Sequence, residues 1–131
     1  MTHKVACLLA VALLSATVMV GCGPDPQEAY TVQTSGITNE WNAIVDRWNA
    51  TPGDPEVVTD FIGLQSRAKQ IEPPDELADA HRLFLEAMEA EVKSFEVWAV
   101  GAKEESARLH ELSLKAITAY QKDLQGRGLL K

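Results

Sequence analysis

Residues 74–100, PDELADAHRLFLEAMEAEVKSFEVWAV, set Leu77, Ala80, Phe84, Ala87, Met88, Val92, Phe95, Trp98 and Ala99 along one face at helical spacing. Pro74 suits a first helical position, and Asp75 and Glu76 fall in the first turn, where the helix dipole favours negative charge. At 1.5 Å per residue such a helix runs roughly 39 Å. A stripe of that length has to be buried against other helices. Strict polar–apolar alternation, the mark of a half-buried strand, is absent from the rest of the chain, so the expected class is all-α.

Working outward, Gly101 can end this helix in a left-handed conformation, and Glu104 and Glu105 suit the first turn of the next. That fourth helix would present Leu109, Leu112, Ala116, Ile117, Tyr120 and Leu124, and Gly126 and Gly128 end it. A helix continuous through Gly101 would project past its partners and leave an apolar stripe for a second chain to cover. On the other side, Pro73 and Pro74 stop a second helix that starts at Asp54-Pro55, an N-cap followed by a first-turn proline. Its stripe is Val57, Val58, Phe61, Ile62, Leu64, Ala68 and Ile71. A first helix carries Ile37, Trp41, Ile44, Val45 and Trp48, with Ser35 or Thr38 as cap and Thr51-Pro52-Gly53 as its end. Short connections between four amphipathic helices predict an antiparallel up-and-down four-helix bundle over residues 37–126, with a tail at 127–131.

The amino-terminal part is of another kind. Lys4 precedes an apolar run from Val5 to Val20, sixteen residues long and shorter than the ~20 that span a bilayer, which is the layout of a secretory signal. Met19-Val20-Gly21-Cys22 resembles the lipobox of bacterial lipoproteins, with Met19 where leucine is usual. The resemblance implies cleavage after residue 21, diacylglycerol on the Cys22 sulfur and acylation, such as palmitate, of the new amino terminus. Two or more buried chains give stable anchoring where one does not. Residues 22–36, with Pro24 and Pro26, read as lipidated cysteine and flexible tether. Pro73 to His81 also resembles a pattern in uncharacterised bacterial lipoproteins with helical-bundle domains, a likeness over residues 38–125 that supports the fold.

Cys7 would leave with the leader, so the mature chain would hold Cys22 alone and no internal disulfide. The 109 residues after Cys22 are enough for one domain with one core. Losing Lys4 moves the net charge from −7 to −8, which argues against nucleic acid as a partner. Residues 72–96 carry a balance of −6 and residues 103–131 one of +2, so these segments would attract if packed together.

Candidate chemistry is sparse. His81 and His110 are expected at heights roughly 16 Å apart in the hairpin turning at Gly101, too far to share a metal. Ala78 and Ala107 stand where a di-iron bundle would have glutamate, and both histidines read as surface or helix-boundary residues. Glu86, Glu89, Glu91 and Glu96 read as a solvated acidic face. No nucleophile elbow, Ser-x-x-Lys or phosphate-cradling loop is present, so neither catalysis nor a metal or other cofactor is expected. Trp48, Phe95 and Trp98 should meet at the end of the bundle far from the tether, where aromatic side chains could contact a ligand or partner. The expected function is a lipid-anchored, non-catalytic interaction or binding module of the cell envelope, membrane-bound through Cys22 and partnered by another envelope protein. The alternative is a small-ligand or metal-binding bundle.

Overall fold

The structure, a computed structural model, describes residues 23–130; the leader, the lipobox with Cys22, and Lys131 lie outside the described residues. Four helices follow one another: α1 (Pro26–Ala50), α2 (Pro55–Lys69), α3 (Ala78–Ala99) and α4 (Lys103–Gly126), with a 3-10 turn at Asp75–Leu77 leading into α3. Among the described residues there is no strand, and the chain is an all-α, up-and-down helical bundle. No helix among them is long and apolar enough to cross a membrane.

The first helix starts at Pro26 rather than near Ile37, so most of the expected tether is helix. The reason is local and already familiar from α2. Asp25 accepts a hydrogen bond from the Gln27 amide at 2.9 Å with Pro26 in the first turn, as Asp54 does from the Glu56 amide at 2.9 Å with Pro55. An aspartate cap followed by a proline with its φ preset starts a helix in both places. The added turns are not solvent-bound: Tyr30 and Thr34 continue the stripe of Ile37, Trp41, Ile44 and Trp48 and are buried with it.

Gly101 does break the last two helices apart. Its φ is +85°, the Gly101 amide donates to the Trp98 carbonyl and the Ala102 amide to the Val97 carbonyl, a paired closure that satisfies the last carbonyls of α3. Gly128 ends α4 in the same manner, with Leu129 bonding back to Leu124.

The core divides into two kinds of contact. Between α1, α2 and α3 it is aromatic: the Trp41 ring lies 5.4 Å from Phe61 and 6.2 Å from Phe84, and Trp48 stacks on Phe95 at 4.3 Å. Between α3 and α4 it is aromatic where Tyr120 lies 5.0 Å from Phe84, and small and polar nearer the turn. Ala80, Ala87 and Ser94 recur every seven residues on α3 and face Ser106 and Ser113, also seven apart, on α4. Ser113 donates its hydroxyl to the Ala87 carbonyl at 2.8 Å, and Ser94 donates to the Ser106 carbonyl at 2.9 Å. Side chains this short let two helix backbones run close together, and α3 and α4 do so along their length. Of the expected α4 stripe, Tyr120 and Leu124 are buried and Leu109, Ala116 and Ile117 partly so, whereas Leu112 is left 43% exposed and the serines at 106 and 113 are buried.

Among the described residues, no Arg or Lys of the basic segment pairs with an acid across the α3–α4 contact, and only His110 reaches one, Glu91. Among the described residues, Arg and Lys on these helices bond acids on their own helix, as in Arg82–Glu86, Lys93–Glu89, Arg108–Glu105 and Arg127–Asp123. The cross-helix pairs instead tie α1 to α2, through Arg47–Asp60 and Arg67–Glu40. All of these lie at the surface, where solvent screens them, so they orient the helices more than they stabilise the fold.

Two glycines at one end of the bundle separate backbone strain from contact. Gly53 has φ +88°, and a Cβ there would stand 2.7 Å from Cζ3 of Trp98, whereas a Cβ on Gly101 would meet open space. Gly53→Ala is expected to cost about 2–4 kcal/mol, strain plus overpacking, and Gly101→Ala about 1–2 kcal/mol. Urea unfolding of the two variants checks the order.

Candidate functional site

Because α4 is drawn onto α3, the bundle closes unevenly. α1 packs on α2, α2 on α3 and α3 on α4, and no comparably close backbone approach joins α1 to α4. A groove follows that open seam. Its upper cavity, about 340 Å³, lies between Trp48 and Asn49 of α1, Phe95 and Trp98 of α3, and Lys103 and Ala107 at the start of α4. Its lower cavity, about 190 Å³, lies between Trp41 and Asn42 of α1 and Leu114, Ile117 and Gln121 of α4. Val45, Glu91 and His110 line both, so the two cavities adjoin at these side chains.

Glu91 is the unusual member. It is 2% exposed, the opposite of the expected solvated face, and both its oxygens are engaged by Nδ1 of His110, at 2.9 and 3.1 Å. Its burial follows from helical phase: position 91 lies three, four and seven residues after Met88, Ala87 and Phe84, all fully buried. A carboxyl group in that environment requires a hydrogen-bonded or charged partner. His110 provides one from α4 across the seam, with its own side chain 47% exposed at the groove.

The predicted aromatic group is brought together at the end carrying the α1–α2 and α3–α4 turns. Trp48 stacks on Phe95 and meets Trp98 edge-on at 5.4 Å. Trp48 and Phe95 are buried; Trp98 is partly exposed, with Gly53 against its ring and the Lys103 ammonium 5.6 Å from its centroid. Their aromatic edges also wall the upper cavity.

Toward the opposite end the seam narrows to a cavity of about 120 Å³ between Thr34 and Thr38 of α1 and Ile117 and Tyr120 of α4, and a polar network crosses it. Tyr120 of α4 donates its hydroxyl to Thr34 of α1 at 3.0 Å, and Thr34 donates to the Tyr30 carbonyl at 3.1 Å. His81, expected at the surface or a helix boundary, lies in the first turn of α3 and is buried, with Nδ1 3.1 Å from the Tyr30 hydroxyl. Burial and the nearby Tyr120 push the Tyr30 phenol far above its ordinary range, so the group that shares a hydrogen bond with His81 keeps its proton. Burial also raises Tyr120 and lowers His81, which favours the neutral ring. The two histidines thus serve separate partners at opposite ends, and among the described residues no three His, Cys, Asp or Glu side chains gather to hold a metal ion.

A second, broader trough of about 560 Å³ runs over α1 and α2, but its charged groups are the paired Arg47, Asp60, Arg67 and Glu40. The α1–α4 groove is the one that combines aromatic walls with a buried titratable group. No family model, no curated protein and no solved structure matches the chain.

His81 binds its proton less readily in the folded chain than at its ordinary value of 6.5 in the unfolded one. Its contribution to stability is therefore present above pH 6.5 and is lost as pH falls from there toward the depressed folded value. His81→Gln keeps a hydrogen-bond partner for Tyr30 and removes the titration. Between pH 7 and pH 5 the wild type should lose more stability than His81→Gln, as read from urea midpoints at each pH.

Proposed function

We propose that this chain is a lipid-anchored, non-catalytic binding module of a bacterial cell envelope that presents the α1–α4 groove. The observation that carries the reading is the open seam itself, with a buried glutamate on its floor and tryptophans on its walls. Pockets of this make-up, mostly apolar with a few convergent polar groups, are where small molecules and side chains of partners are held. The serines nearest the groove support a binding rather than a catalytic role, because Ser94, Ser106 and Ser113 are engaged in the α3–α4 seam.

The anchor rests on the lipobox-like Met19-Val20-Gly21-Cys22. With α1 starting at Pro26, the chain between Cys22 and the helix can span no more than about 14 Å. The end holding Tyr30 and His81 would then stand beside the headgroups. The end holding Trp98 and the upper cavity would stand roughly 37 Å further out, the length of α1. The groove would open sideways in the envelope, within reach of a soluble ligand or of another envelope protein.

Fractionation of a bacterial host expressing the full chain tests the anchor. The wild type should sediment with membranes and carry lipid mass on its mature amino terminus, and Cys22→Ser should be released by the same lysis. Retention of Cys22→Ser in the membrane fraction would overturn it.

A further inference from the structure

The geometry points to an organic ammonium as the ligand of the upper cavity: a molecule with an apolar ring or chain, whose cationic nitrogen is held between the carboxyl of Glu91 and the face of Trp98. This deepens the proposed binding function and rests on the groove being its site.

Three observations converge on a cation. Glu91 is buried at the junction of the two cavities, and His110 is its one hydrogen-bond partner among the described residues. A carboxyl group offers about four acceptor positions, so one imidazole N–H leaves acceptor capacity at the floor of the groove. A group this deep in the protein is stabilised by a cationic donor far more than by a neutral one. The walls point the same way. Trp98 already has the Lys103 ammonium 5.6 Å from its ring centroid, within the range at which the negative face of an indole attracts a cation. The upper cavity therefore holds two basic groups of the chain itself, His110 on the carboxyl and Lys103 on the tryptophan, both on solvent-exposed side chains.

These two act as tethered stand-ins for a ligand's nitrogen. Each rides on α4 at the lip of the groove and can swing outward without disturbing the core, because neither lies among the buried apolar side chains. The apolar part of the ligand would then lie against Val45 and the edges of Trp48 and Phe95, which line the cavity. The net charge of −7 adds a long-range preference for cations over anions of the same shape.

The test uses three probes of one shape on the full folded domain: 2-phenylethylammonium, neutral 2-phenylethanol and anionic 3-phenylpropanoate. Binding is read by tryptophan fluorescence and by amide and indole shifts in two-dimensional NMR. The expected result is saturable binding of the ammonium, with shifts centred on Trp48, Trp98 and His110. The alcohol should bind at least tenfold more weakly, and the carboxylate should give no saturable shift. Glu91→Gln should weaken the ammonium about tenfold or more, while Lys103→Ala, which uncovers Trp98, should tighten it about threefold. The opposite signs distinguish recognition from a loss of structure, and Lys103 is exposed, so its variant keeps the fold. Equal binding of ammonium and alcohol, or undiminished ammonium binding to Glu91→Gln, would overturn the cation assignment and leave the groove as an apolar site. Absence of any groove shift with all three probes would overturn both.

Discussion

The close approach of α4 to α3 is the constraint on which the rest of the structure depends. Ala87 and Ser94 on one helix and Ser106 and Ser113 on the other leave no bulky side chain between the backbones in the half nearer the turn, and further along Tyr120 packs on Phe84. The serine hydroxyls then use the second lone pair of carbonyls that already accept their own helix bonds, at Ala87 and Ser106. A hydrogen bond of this kind stabilises by only about 1 kcal/mol, yet it requires the facing carbonyl to be within reach and so fixes spacing and rotation together. The fourth helix is consequently spoken for by the third, and the side of the bundle between α4 and α1 is left open.

The polar residues of the interior make sense as consequences of that asymmetry. A bundle closed evenly on all sides would have buried position 91 in a dry layer with Phe84, Met88 and Phe95, where a glutamate would be costly. Here the position lies beneath an open seam, and His110 reaches it from a side chain that is itself at the surface. At the other end, Tyr120 crosses the seam to Thr34, and Tyr30 bonds His81 between α1 and α3, so the groove narrows to a small cavity there. No buried side-chain polar atom among the described residues lacks a partner. The groove is thus bounded by polar contacts below and by the aromatic contacts of Trp48, Phe95 and Trp98 above.

The helices were largely legible because their punctuation is strong: Asp54-Pro55, Pro73-Pro74 and Gly101 each act through local backbone chemistry that needs no tertiary contact. Asp25-Pro26 carries the same signature as Asp54-Pro55, but beside Pro24 and next to the anchor it reads as linker, and only the burial of Tyr30 and Thr34 shows what those turns are for. The site was less legible, because its members look polar and therefore solvated. Glu91 and His81 both sit in phase with the α3 stripe, a signal that was available, yet charge and polarity argue against burial unless the partner is known. On α4 the leucines at 109 and 112 outweigh the serines at 106 and 113 by hydrophobicity alone, although the seven-residue repeat of small residues marks the tighter seam. The meeting of Trp48, Phe95 and Trp98 follows from helix direction and turn position, which the sequence does carry.

The spacing and rotation of α4 on α3 can be read directly from proton contacts in solution. A nuclear Overhauser spectrum of the folded domain with labelled alanine methyls should show strong contacts from the Ala87 methyl to the α and β protons of Ser113. It should also show Ser94 β protons meeting Ser106, with the Leu112 methyls giving no cross-peaks to the α3 core. If the Leu112 methyls instead contact Phe84 and Ala87, and Ser113 gives none to Ala87, then α4 is turned on its axis, the seam between α1 and α4 closes, and this account of the groove is wrong.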